Sequence, residues 1–198
     1  GTITIPNTPH ANISFDVTGI VTTVKKDATG NFSLGITNTG TATTGAITMQ
    51  LPDWMNLQGA LMPIDAGETA TAVIAMTPTG EANTRYDGYI GINIENGNNQ
   101  ILPYNVTIVS DAKGTVNFTV CDEFTYYDEA APKVQNATIV ARNSSTGEAV
   151  ATLNTGTTGT ASITQPEGYY EFTVTAEDHE TYTNNILIYP GQTTERIV

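Results

Sequence analysis

Histidine and cysteine are almost absent, with two His (His10, His179) and one Cys (Cys121) in 198 residues. Zinc needs several Cys or His ligands, so the chain has no donor set for it. A single thiol has no partner for a disulfide within the chain, which leaves a reduced side chain or a bridge between chains. A Ser/His/Asp or Cys/His nucleophile needs an imidazole brought to it. His10 lies in the Pro-flanked stretch Ile5 to His10 and reads as an exposed connector residue. His179, in Glu177-Asp178-His179-Glu180, reads as part of a solvated turn between two strands. No catalytic residues are therefore expected, and the chain is read as a non-enzyme. Basic residues are scarce as well: 7 Lys plus Arg face 20 Asp plus Glu, for a formal net charge of −13 and a pI near 4.2. Neutralising phosphates takes clustered Lys and Arg, which argues against nucleic acid as a partner. Apolar runs such as Ile186 to Tyr189 fall far short of the ~20 residues of a membrane helix, so no membrane insertion is expected. No basic segment followed by an apolar one opens the chain. Gly1 leads straight into the strand-like Thr2 to Ile5, as in a piece of a longer protein whose signal or anchor lies elsewhere.

Threonine is what the chain has in plenty, 36 residues of it, beside 39% hydrophobic and only 14% charged residues. That balance is too apolar for disorder and suits a pleated, half-buried backbone. Alternation confirms the class. Phe32, Leu34 and Ile36 fall on one face, and Ile47, Met49 and Leu51 repeat the pattern after the break at Asn38-Thr39-Gly40. The stretches Glu68 to Thr77, Tyr86 to Glu95 and Leu102 to Val109 alternate likewise, and Ile13 to Val24 is taken as a lead strand. The pattern restarts after Ser110 to Gly114 with Val116, Phe118 and Val120. Further strands are expected at Ala137 to Ala141, Val150 to Leu153, Ala161 to Ile163, Tyr170 to Ala176, Ile186 to Ile188 and Glu195 to Val198. The fold class is all-β: two consecutive seven-stranded antiparallel β-sandwiches, residues 1–110 and 111–198, with 1–9 read as the tail of a preceding module.

The stretches Asn31 to Gly40, Ile64 to Ala70 and Tyr86 to Ile92 resemble the Ig-like modules of bacterial surface proteins. Arg85 stands where that pattern usually has Gly. Residues 114–198 are similar to the carboxypeptidase regulatory-like family, a prealbumin-like sandwich. The likeness rests on Gln135 to Ile139, Ser145 to Glu148, Thr158 to Ala161, Pro166 to Phe172 and Pro190 to Thr194. This order of modules, with the lead-in Val120 to Glu129, looks like that of very large bacterial surface proteins. It implies an extracellular or cell-surface setting and a spacer or adhesion role, with neighbouring modules as partners and a host or plant glycan or surface protein as ligand. The segment is expected to be monomeric. The alternative it leaves open is a carbohydrate-binding accessory module of a secreted glycoside hydrolase. Collagen-adhesin B-type modules carry a Lys–Asn isopeptide bond assisted by a Glu, but Val174 replaces that Glu and Val116 to Val120 holds no Lys, so none is expected here.

Two candidate sites remain. Asp122, Glu123, Asp128 and Glu129 offer the oxygen ligands Ca²⁺ prefers. They lack an Asp-x-Asp-x-Asp-Gly loop, so solvated acids and no resident cofactor are the expectation, with calcium as the alternative. Trp54 is taken as a core aromatic, the alternative being an exposed ring that stacks on sugar, a role equally open to Tyr126 and Tyr127. Six Asn-x-Ser/Thr sequons discriminate little, because composition by itself gives about four.

Overall fold

A computed structural model describes residues 8–125, 127 and 132–198. The described residues are all-β, with no helix among them. It divides into two compact units: the first runs to Thr79 and resumes at Tyr86–Val106, and the second takes Gly80–Arg85 and Thr107–Val198.

The first unit stacks two four-stranded sheets. One has the order β1 (Ile13–Phe15), β3 (Gly30–Asn38), β6 (Thr69–Met76), β5 (Met55–Gln58); the other has β2 (Ile20–Lys25), β8 (Gln100–Val109), β7 (Arg85–Ile94), β4 (Ile47–Gln50). Alternation is why they pack: Leu34 and Ile36 of β3 and Ile90 and Ile92 of β7 are wholly buried while their immediate neighbours are more exposed, and Ile74 of β6 is wholly buried with them. Register keeps that face continuous, pairing Phe32 with Ile74 and Leu34 with Ala72.

The expected lead strand Ile13 to Val24 is two strands in opposite sheets. The break lies at Asp16 to Gly19. Asp16 turns back so that its Oδ1 accepts the Gly35 N–H at 2.9 Å, and Gly19 lies so close to Pro103 that a Cβ there would sit 3.2 Å from the proline ring. Trp54 is followed by a short strand, β5, which brings this unit to eight strands rather than seven.

A buried amide organises the break after β3. Asn38 Nδ2 donates to Ala42 O (2.8 Å) and Ile64 O (2.9 Å), and Oδ1 accepts from Gly40 N (3.0 Å) and Asn12 N (3.3 Å). A wholly buried polar group is tolerated only when it is satisfied in this way.

The second unit sets a four-stranded sheet against a three-stranded one. The larger has the order β11 (Ala149–Asn154), β10 (Thr138–Asn143), β13 (Gly168–Thr175), β14 (Tyr182–Ile188); the smaller has β12 (Thr160–Pro166), β9 (Lys113–Thr119), β15 (Thr193–Ile197). β15 runs parallel to β9, from Thr193 opposite Thr115 to Ile197 opposite Thr119. The core centres on Phe118 and Phe172, with ring centroids 5.0 Å apart, among Val116, Ile139, Ala141 and Ile186. Thr155 is a buried staple: its hydroxyl donates to Val134 O (3.1 Å) and accepts the Ala137 N–H (3.0 Å). No helix of the described residues is long and apolar enough to cross a membrane.

Candidate functional site

Trp54 sits in the turn before β5, half-buried against the first core. Its ring lies 5.1 Å from that of Tyr86, tilted by 48°, and 5.5 Å from that of Tyr104, edge-on at 83°. Both tyrosines are held in turn. The Tyr86 hydroxyl donates to Thr79 O, and Tyr104 lies over Gly88, where a Cβ would sit 2.5 Å from its hydroxyl. The three rings therefore occupy one another's faces and edges, which is what a packing cluster requires.

The acidic stretch begins as a turn. Asp122 Oδ1 accepts the Phe124 N–H at 3.1 Å and Oδ2 accepts the Thr125 hydroxyl at 3.3 Å, so this carboxylate caps its own loop. Glu123 is exposed, as are Phe124 (89%) and Tyr127 (95%). Tyr126, Asp128 and Glu129 lie outside the described residues. Among the described residues no three His, Cys, Asp or Glu side chains converge to hold a metal ion.

Cys121 is half-buried just beyond β9, in a bridge to Lys133, with its N–H donated to Val198 O at 2.6 Å. It lines a cavity of about 730 Å³ at one end of the second unit, floored by Val120, Val134 and Val174, and His179 stands on the rim. His179 is exposed, and its Nδ1 lies 2.6 Å from Glu177 O within its own turn. His10 is exposed as well.

A second cavity of about 650 Å³, within the second unit, opens on the outer face of the larger sheet. Register sets Arg142 (β10), Glu171 (β13) and Asn185 (β14) side by side across three strands, and Tyr169 stands two residues before Glu171. One wall is closed by Asn143, whose Nδ2 donates to Asn83 Oδ1 at 2.9 Å. Sequence reasoning missed this groove because it followed the inward set Tyr170, Phe172 and Val174. The signal was the other parity of the same strand, Tyr169 and Glu171. Directly behind the groove, Tyr170 is buried and donates to Pro166 O at 3.0 Å. Burial raises its pKa above the ordinary 10.0, and the Asn83 side chain offsets part of that rise.

No family model matches the chain, and no curated protein matches it. Among solved structures it is similar to the Bacillus anthracis TIE protein, at 12% identity and a TM-score of 0.37, over 99% of this chain and 41% of that one. The chain thus spans about two fifths of that protein's length. It is also similar to the major pilin subunit BcpA of Bacillus cereus, at 14% identity and a TM-score of 0.33 over 95% and 69% of the two chains. A third likeness is to the CsuC–CsuE chaperone–tip subunit complex of Acinetobacter baumannii pili, at 9% identity and a TM-score of 0.40 over 94% and 100%. Likenesses of this order assign no function.

Proposed function

We propose that the chain is a non-catalytic structural segment of a large secreted or surface-anchored bacterial protein. It comprises two modules, 1–110 Ig-like and 111–198 carboxypeptidase regulatory-like, that act as spacer and adhesion surface. The observation that carries this reading is the pair of separate hydrophobic cores. One is built on Leu34, Ile36, Ile74 and Ile92, the other on Phe118, Ile139, Phe172 and Ile186, and no described residue belongs to both. A module that buries its own core can be added to or removed from an array without unfolding its neighbour. The acidic balance supports the same reading, because a net charge far from zero keeps a long extracellular array soluble.

Single-molecule stretching of the whole chain tests it. Two separate unfolding events, one per core, are the expected record. One cooperative event for the entire chain overturns the reading.

A further inference from the structure

We propose that β9 and β15 form a mechanical clamp, so that the second unit bears tension along the chain by loading a parallel strand pair in shear. This deepens the spacer reading and rests on it.

The argument begins with direction. β15 is the last strand of its unit and β9 the first of its sheet in chain order, yet they are hydrogen-bonded neighbours running the same way. Tension entering ahead of Lys113 pulls β9 by its N-terminal end. Tension leaving past Val198 pulls β15 by its C-terminal end. In a parallel pair those two ends lie at opposite extremes, so the strands are drawn past each other along their own axes. Every bond of the ladder must then yield together, whereas a pair pulled from one end yields a bond at a time.

The ladder runs past both ends of β15. It begins with the Gly191 N–H donated to Lys113 O (2.8 Å) and the Thr115 N–H donated to Gln192 O (2.8 Å), runs through the paired residues, and ends with the Val198 N–H donated to Thr119 O (3.0 Å) and the Cys121 N–H donated to Val198 O (2.6 Å). All but the short last bond fall within the ordinary range of about 2.7–3.2 Å for a backbone hydrogen bond. Beyond the ladder, β15 is held by little more than Val198 at its end, which packs against the second core. None of its five residues is buried, and Ile197 is 60% exposed, so the backbone ladder rather than side-chain packing resists its removal. A side-chain belt adds to it: Ser162 Oγ donates to Asn117 Oδ1 (2.8 Å), and Asn117 Nδ2 donates to Glu195 Oε1 (2.7 Å), tying β12, β9 and β15 across the outer face. In an antiparallel arrangement of the same two strands, the same tension would peel them open from one end. The parallel order is therefore the feature that makes this unit a load-bearing element.

The test is to stretch the full chain, carrying Cys121→Ser, in two geometries. In the first, handles are fixed at the N- and C-termini. In the second, the C-terminal handle is moved to the exposed position 192 as Gln192→Cys, which pulls both strands by their N-terminal ends. Equal thermal midpoints for the two proteins establish that both are folded. The expected result is two unfolding events in each geometry, one of which occurs at a force at least about twofold lower when the handle is at 192, since forced unfolding follows the barrier rather than the stability. Two events at unchanged forces in both geometries overturn the clamp while leaving the spacer reading intact. A single cooperative event overturns the spacer reading and the clamp with it.

Discussion

Asn38 Nδ2 donates to the Ile64 carbonyl at 2.9 Å across 26 residues of chain, inside the first core. The same side chain also serves Ala42 O and the Gly40 and Asn12 amides, so one amide holds two loops and the end of β3. Asn38→Ala leaves two carbonyls and the Gly40 N–H without these partners and should cost about 3 kcal/mol, since each buried group left unsatisfied costs roughly 1–3 kcal/mol. Asn38→Asp should cost no less, because a carboxylate accepts only and faces the Ala42 and Ile64 carbonyls. Chemical denaturation followed by circular dichroism measures both. A loss below about 1 kcal/mol in both variants contradicts the account.

Trp54 is the single tryptophan, and it belongs to the first unit. Its fluorescence should therefore track the unfolding of that unit alone. Trp54→Ala should destabilise the first unit by about 2–3 kcal/mol, at or below the low end of the roughly 3–5 kcal/mol for a buried aromatic, because the ring is only half-buried. The check is a melt in which the transition of the second unit stays where it was.

Tyr170 sets an alkaline limit on the second unit. Its pKa is raised above 10.0 in the folded state, chiefly by burial. The folded state then holds the phenol proton at pH values where the unfolded chain has released it. The stabilisation is complete below the unfolded pKa and is lost as pH rises from about 10 through the folded value. Tyr170→Phe should flatten this loss. It should also lower stability at neutral pH by about 1 kcal/mol, through the hydrogen bond to Pro166 O. Denaturation curves between pH 7 and the alkaline end, compared for the two proteins, test both parts. Parallel pH dependences are the contrary result.

Asp122 spends its carboxylate on the Phe124 amide and the Thr125 hydroxyl. Melts in EDTA and in millimolar Ca²⁺ should therefore superimpose, because an ion bound only to the folded state raises the midpoint. A Ca²⁺-dependent rise that disappears in Asp122→Ala is the outcome that supports the cation site.

Much of the second unit was legible in the chain. Each of its strands was expected within a few residues of where it lies, because alternation such as Tyr170, Phe172, Val174 survives wherever one face is buried. The first unit was less legible at two places. Ile13 to Val24 alternates well enough to pass for one strand, and only the approach of Gly19 to Pro103 and of Asp16 to Gly35 exposes the break. Met55 to Gln58 is too short to announce itself; it is a strand because β6 lies beside it, pairing Met55 with Met76 and Leu57 with Ile74. The groove at Tyr169 was hidden for another reason, since it is assembled from β10, β13, β14 and the Asn83 loop.

The sequence by itself determined the class of the molecule: period-two burial, threonine-rich strands, too few Cys and His for zinc, and an acidic balance adverse to nucleic acid. These are local or compositional properties, and no partner is needed to read them. Tertiary structure alone decided which strands are neighbours. Alternation says which way each side chain of β9 and β15 faces but nothing about the two strands lying side by side and parallel, because 73 residues separate the end of β9 at Thr119 from the start of β15 at Thr193. Direction and adjacency come from long-range closure of the sandwich, and on them rests the difference between a strand that peels and one that shears.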